Sequence, residues 1–362
     1  MSIVMTGGGT GGHLAIIRAV KEQLHTPYLT LNAQPMKDSH GESHRNSSLL
    51  TPHSSLIYIG STNGQDRQWF EEDKDFAATY FLETRGVVNQ GVMGKIASIG
   101  MLIKATGQTI RLLRKHRASV VFSVGGYSAA ATAFAAKLLR IPLVIHEQNA
   151  VEGSLNRILK PFAHTFISSY DPASPIRDYP VKQVFFETAR VRERVQTLLV
   201  MGGSQGAVAL NDWVLHLAPR LQERGIRILH QAGERNIEAV KEAYAALGIE
   251  AEVFGFSDRI PELMVQADLA IARAGASTLW ELVANGLPAL FVPFPYAAGD
   301  HQYHNAKFLA DQEMGWVMRQ EALEDATLLA LLDQDLRPVS QRLIAAARPD
   351  GAREIAELLS TF

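Results

Sequence analysis

Short apolar runs rich in Val, Ile and Phe alternate with helical stretches along this chain in two separate series, and that alternation restricts it to an α/β fold built on parallel sheets. The first series comprises Ser2 to Thr6, Leu56 to Gly60, Ala78 to Glu83, Ser119 to Gly125, Ile141 to His146 and Thr165 to Ser168. The second comprises Thr197 to Met201, Ile226 to Gln231, Ala251 to Phe254, Leu269 to Ala272 and Ala289 to Val292. Between them, Pro172, Pro175 and Pro180 punctuate a polar stretch in which neither helix nor buried strand persists, so a hinge is placed just after it. At 362 residues the chain exceeds the size of one ordinary core, and two doubly wound domains are expected. The segment from His25 to Ser55, rich in Ser, His, Asn and Pro and without periodicity, reads as an inserted surface loop; metal binding by its His40, His44 and His53 is an alternative that spacing and context do not favour. Near the other end, Ile355, Leu358 and Leu359 have helical spacing and predict one more amphipathic helix.

Composition excludes more than it selects. With 47% apolar residues and a formal net charge of −2, the chain is neither disordered nor a nucleic-acid binder driven by charge. It has no cysteine, which rules out disulfides, thiolate metal sites and a cysteine nucleophile and suits a reducing compartment. Met1 to Thr6 runs straight into glycines without a basic region or a long apolar segment, so no signal peptide is expected there, and no apolar run is long enough to span a bilayer. Any membrane contact is expected to be peripheral.

Two glycine loops carry the first chemical signals. After the first strand, Gly7, Gly9 and Gly12 satisfy G-x-G-x-x-G, whose tight turn aims a helix amino terminus at an anion. A nicotinamide-dependent oxidoreductase is one reading, but the acidic residue expected at the end of the next strand is missing, since that strand ends in Ile59-Gly60-Ser61. Gly202-Gly203-Ser204-Gln205-Gly206 opens the second series and also matches the G-x-S-x-G elbow of hydrolases, with Asp268 and His301 following in the required order. A glycine loop at a helix start binds phosphate with no nucleophile, which makes Ser204 a hydroxyl donor. Ligands of open parallel sheets sit at the carboxyl ends of the strands, so the predicted active site is a cleft faced by both loops.

Further along, Arg273-Ala274-Gly275-Ala276-Ser277-Thr278-Leu279-Trp280-Glu281 is a small-residue turn into a helix with Glu281 two turns in. Glu281 is either a solvated helical carboxylate or an acceptor for both ribose hydroxyls of a nucleotide whose diphosphate approaches the helix start. Gly299-Asp300-His301-Gln302-Tyr303-His304-Asn305 then crowds amides and imidazoles at a helix start, a pattern suited to sugar hydroxyls, although Asp300 alone would pass as an N-cap.

Gly9-Thr10-Gly11-Gly12-His13, Gly125-Gly126-Tyr127, His146-Glu147-Gln148-Asn149, Gly202 to Gly206, and Gly286-Leu287-Pro288 to Pro293-Phe294 together resemble the MurG family of peptidoglycan glycosyltransferases, in the family's order and over nearly the whole chain outside the insertion. The resemblance implies a GT-B fold, two Rossmann-like domains facing across a cleft: 1–181 for the acceptor and the membrane, 182–340 for the UDP-sugar, and 341–362 as helices packing back on the first domain. It implies inverting transfer of N-acetylglucosamine from UDP-N-acetylglucosamine to lipid I, giving lipid II, at the cytoplasmic face of the membrane. By match to the family's motifs, Thr10, Gly11, Gly12 and Asn149 line the cleft on the acceptor side near the donor sugar, Ser204 meets the phosphates and Ser257 the uracil region. Ala276, Ser277, Thr278, Leu279, Trp280 and Glu281 then hold the diphosphate and ribose, and Gln302 the sugar hydroxyls. One departure is Asp178-Tyr179-Pro180-Val181-Lys182 where the family commonly has Gly-Asn-Pro-Val-Arg; Lys182 keeps the charge but loses the planar fork.

An inverting displacement needs a general base for the acceptor hydroxyl, with His13 the first candidate and Glu147 the alternative or the group that orients it. Helix amino termini at Ser204 and Ala276 take the charge of departing UDP in place of a metal, and no cofactor is expected. Asp73-Lys74-Asp75 and Asp333-Gln334-Asp335 read as solvated faces in charged helical surroundings. Gly94 to Arg117 places Ile96, Ile99, Leu102 and Ile103 beside Lys95, Lys104, Arg111, Arg114 and Lys115, either a core helix with a basic solvent face or a surface for anionic lipid. A nucleotide-sugar-binding subunit without catalysis is the remaining alternative.

Overall fold

A computed structural model of the chain describes residues 2–25, 55–86, 92–203, 206–255, 257 and 259–362, and the side chains of all of these except 92–96. Residues 26–54 of the insertion, with His40, His44 and His53, and Ser204 lie outside the described residues. The chain divides into two compact units: 1–147 with 153–180 and 350–362, and 148–152 with 181–349.

The first unit runs β1 (Ser2–Thr6), α1 (Gly11–His25), β2 (Ser55–Ser61), α2 (Asp66–Phe70), β3 (Ala78–Leu82), α3 (Val92–Lys115), β4 (Ala118–Ser123), α4 (Ala130–Leu139), β5 (Leu143–Glu147), α5 (Ser154–Leu159) and β6 (Thr165–Ser168). Its strands form one parallel sheet in the order β3-β2-β1-β4-β5-β6. β1 is buried along its whole length, with apolar Ile3, Val4 and Met5 at its centre as a strand covered on both faces requires.

The second unit contains α6 (Gln183–Glu187), β7 (Thr197–Met201), α7 (Val208–Glu223), β8 (Arg227–Gln231), α8 (Ile237–Ala246), β9 (Ala251–Phe254), α9 (Ile260–Gln266), β10 (Leu269–Ala272), α10 (Ala276–Asn285), β11 (Ala289–Phe291), α11 (His301–Ala310), β12 (Trp316–Val317), α12 (Asp325–Leu332) and α13 (Arg337–Ala346). Its parallel sheet is ordered β12-β11-β10-β7-β8-β9. Arg192, fully buried, donates to the carbonyls of Met264, Ala267 and Asn285, so one guanidinium satisfies carbonyls at the carboxyl ends of both α9 and α10.

The block expected at 341–362 divides. α13 stays with the second unit, where it packs on α10, and α14 (Gly351–Ser360) returns to the first and packs on α1, burying Ile355 and Leu359. The reading of Asp73 and Asp75 as a solvated helical face also needs correction. Both lie in the turn between α2 and β3, where buried Lys21 of α1 bonds Asp73 Oδ2 and Asp75 Oδ2, each at 2.6 Å, because an ammonium in a core must take carboxylates with it. Asp333 and Asp335 pair at the surface with Arg224 and Arg337.

Candidate active site

In each sheet the strand order reverses direction beside the first strand of its unit, between β1 and β4 and between β7 and β10, and the crevice at such a switch point is where doubly wound sheets take ligands. Four of the sequence motifs, beginning at Gly7, Gly125, Gly202 and Arg273, follow those four strands. In the first unit the loops after β1 and β4 press together so closely that a Cβ on Gly126 would stand 2.6 Å from the Gly8 carbonyl oxygen. Gly126 also has φ of 79°, a conformation that glycine adopts without strain.

α1 starts at Gly11, which places His13 in its first turn, with Nδ1 2.9 Å from Thr10 Oγ1. β5 delivers His146 and Glu147, both buried. Glu147 Oε2 accepts hydrogen bonds from Gly153 N and Asn156 Nδ2, each at 2.9 Å, and so ties β5 to the start of α5. His146 packs edge-on to Tyr179; burial, and then the charge of His13, lower its pKa to about 3, so its ring is neutral. The carboxylate that follows β2 is Asp66. It is buried and accepts from Gly9 N at 2.7 Å, Ser61 N at 2.9 Å and Tyr58 Oη at 3.0 Å, so it is turned to the loop and not to a ribose, and the dinucleotide reading fails there.

In the second unit α10 begins behind Gly275, which brings no capping side chain, and the first amide bonded within the helix is that of Leu279, to Gly275 O. A helix start of this kind presents amides and the positive end of the dipole to an anion. Ala276, Ser277, Thr278, Trp280 and Glu281 lie along it, but the side chain of Leu279 is fully buried in the core, leaving only its backbone as a candidate contact. Glu281 is half-buried, and desolvation pushes its carboxyl up to about 8 against the opposing pull of the Lys182 cation, which stands at the N-cap of α6. Trp280 packs against Phe308 of α11.

On α11, Gln302 Oε1 accepts from Phe294 N at 2.9 Å, fixing the amide at the helix start. Asn305, fully buried, donates to Asn149 Oδ1 and to Ala274 O and accepts from Ala150 N. By these bonds Asn149, expected on the acceptor side, belongs with the second unit. Asn305 was visible in the sequence as part of the polar cluster, but not its grip on a segment more than 150 positions away. Arg273 reaches Val292 O, Pro293 O and Gln320 Oε1, and Arg319 pairs with Asp300 at 2.7 Å. Ser257, after β9, accepts from Arg259 N. Asp268 sits at the amino end of β10, holding Arg190 and the amides of Gln196 and Thr197, whereas Gly202 follows the carboxyl end of the neighbouring β7, so the acid of the expected hydrolase order is engaged at the other end of the strands. Among the described residues no group of three or more His, Asp or Glu is placed to hold a metal ion.

The Glycosyltransferase family 28 N-terminal domain matches residues 49–168 and the Glycosyltransferase family 28 C-terminal domain matches residues 197–359. The chain belongs to glycosyltransferase family 28. A family 28 relative from Sulfurovum sp. (strain NBC37-1) is 55% identical over 362 residues, 100% of this chain and 99% of its own length, and is named UDP-N-acetylglucosamine–N-acetylmuramyl-(pentapeptide) pyrophosphoryl-undecaprenol N-acetylglucosamine transferase. A Wolinella succinogenes protein of the same name is 50% identical over 359 residues, 99% of each chain. The crystal structure of Acinetobacter baumannii MurG, 26% identical, matches with a TM-score of 0.73 over 100% of this chain and 99% of that one. Two Rossmann-like domains with a six-stranded parallel sheet each make this a GT-B fold.

Proposed function

We propose that this chain transfers N-acetylglucosamine from UDP-N-acetylglucosamine to the undecaprenyl-diphospho-N-acetylmuramoyl-pentapeptide, forming the β-1,4 link of lipid II. The observation that carries this reading is 55% identity along the entire length to a relative named for that transfer. The second unit takes the donor: the amino terminus of α10 receives the diphosphate, Glu281 the ribose hydroxyls and Gln302 the sugar. The first unit takes lipid I at the loops following β1 and β4.

The acceptor hydroxyl attacks the anomeric carbon opposite the diphosphate, the carbon–oxygen bond to UDP breaks, and its electron pair leaves with UDP. His13 takes the acceptor's proton. The Thr10 hydroxyl can accept from Nδ1–H as well as donate to Nδ1, and the tautomer in which Nδ1–H donates leaves the ring lone pair on Nε2, the form a base requires. Negative charge on departing UDP meets the helix amides of α10, so the reading assigns no step to a metal.

A lipid-linked acceptor requires work at a membrane surface, here the cytoplasmic one, while no helix among the described residues is long and apolar enough to cross a membrane. Ile99 and Ile103 of α3, Leu138 of α4, Ile158 of α5 and Phe162 just after it are exposed in the first unit, with Lys104, Lys137 and Arg140 among them, which supports peripheral binding to anionic lipid.

The test is transfer of radiolabelled N-acetylglucosamine to a lipid I analogue in EDTA. Wild type is expected to transfer, and His13→Ala to lose about 10²- to 10⁴-fold, the usual contribution of a general base. A folded wild type that transfers nothing, with or without magnesium, overturns the reading.

A further inference from the structure

The triplet Gly7-Gly8-Gly9 includes a glycine that ligand approach does not explain. Gly8 does not have a positive φ, yet a Cβ there would stand 2.5 Å from Asp66 Oδ1. Gly60, at the end of β2, meets the same obstacle: its Cβ would lie 2.6 Å from Asp66 Oδ1 and 2.6 Å from Tyr58 Oη. Two glycines therefore make room for one carboxylate, and that carboxylate is fully buried.

Burying a charge is costly unless donors surround it, and here three do: Gly9 N at 2.7 Å, Ser61 N at 2.9 Å and Tyr58 Oη at 3.0 Å. Tyr58 is held in turn, its hydroxyl also 3.0 Å from the Gly7 carbonyl, and Tyr127 donates to Asn63 O at 2.8 Å from the other side of the turn that leads into α2. A sheet of this kind needs no charge at such a position, and an apolar filling is often the more stable choice. What the carboxylate supplies is direction. A run of glycines has more backbone freedom to lose than any other sequence, and Gly7 and Gly9 sit at φ of 123° and 84°. A charge-assisted bond to the Gly9 amide fixes the turn one residue before Thr10 and four before His13.

The geometry points to Asp66 as the positioning residue of the first glycine loop: it acts through Gly9 on the placement of Thr10 and His13, and Gly8 and Gly60 are glycines on its account. This assignment rests on the reading of His13 as base and of the first unit as the acceptor side, and it predicts a defect confined to that side.

Two variants test it, Asp66→Asn and Gly8→Ala. The first turns one acceptor into a donor facing the loop; the second pushes a methyl against the carboxylate and leaves the charge in place. Both are expected to lower kcat at least tenfold in the lipid I analogue assay, with KM and Kd for UDP-N-acetylglucosamine within twofold of wild type. Amide hydrogen exchange in residues 7–13 should accelerate at least tenfold, with peptides of 197–346 unchanged. Tyr58→Phe removes one of the three donors but keeps the carboxylate and its two amide partners, and should lower kcat less than Asp66→Asn does. Unchanged exchange in 7–13 in a folded Asp66→Asn or Gly8→Ala overturns the proposal whether or not the wild type transfers, so its failure is separable from failure of the functional reading. So does a loss of kcat that only follows the loss of folded protein, or a matching loss of donor affinity. If Asp66→Asn does not fold, Gly8→Ala carries the same comparisons.

Discussion

Glu281 combines partial access to solvent with a carboxyl raised to about 8 and a lysine close enough to oppose that rise. Because its folded pKa lies above the ordinary 4.5, the unfolded chain ionises first, and this group subtracts stability as pH climbs from about 4.5 to about 8. Ligand hydroxyls that donate to the ionised form reverse the balance: affinity for UDP-N-acetylglucosamine should rise roughly tenfold between pH 7 and 8.5 and level off above, with proton release at pH 7. Titration calorimetry across that range checks it, and Glu281→Gln should bind more weakly with a flat profile; a flat wild-type profile removes Glu281 from the ribose. The place of Glu281 two turns into a helix was legible in the sequence because a small-residue turn precedes it. Asp66 was not, since Gln65-Asp66-Arg67 reads like any exposed helix start and its burial comes from Tyr58 and the glycine loop, which only the folded sheet brings to it. Asp73 and Asp75 were misread for the same reason, because their partner Lys21 is about fifty positions away.

Helix α3 shows what periodicity can and cannot assign. Its apolar residues were grouped as one stripe, but Leu102 packs on the core with Ile110, while Ile99 and Ile103 are 48% and 68% exposed. The side chain of Ile96 lies outside the described residues. The lipid-facing candidates are therefore Ile99 and Ile103, one helical turn apart. Ile99→Ser with Ile103→Ser should weaken sedimentation with vesicles containing anionic lipid at least tenfold, since each isoleucine buried contributes up to about 1.5–3 kcal/mol, and should leave donor binding unchanged. Leu102→Ser should instead lower the melting temperature, and undiminished vesicle binding by the folded double variant would take α3 out of the membrane contact. Most strands were readable as apolar runs of four or more residues. β12 was not, because two residues, Trp316 and Val317, carry no period.

The two-series pattern gave the sheets in their chain order, but not the way the units share the chain, which passes between them after Glu147, Glu152, Pro180 and Pro349. No local signal marks the first pair of crossings, which depend on Asn305 holding Asn149 and Ala150. At the end of the chain, α14 buries Ala352, Ile355, Ala356 and Leu359, and Gly351 leaves no room for a Cβ against the Asp178 carbonyl. Burial on this scale is worth about 5 kcal/mol, comparable to the whole stability of a domain. Ending the chain at Pro349 should therefore abolish the calorimetric transition of the first unit and preserve donor binding by the second, and a 350–362 peptide added in trans should restore part of the lost transition. A truncated chain that melts like wild type would show α14 to be dispensable. The same arrangement orders events on the ribosome: the segment that covers α1 emerges only after the entire second unit, so the unit synthesised first is the one completed last, and its exposed α1 face must be shielded from other nascent chains in the interval.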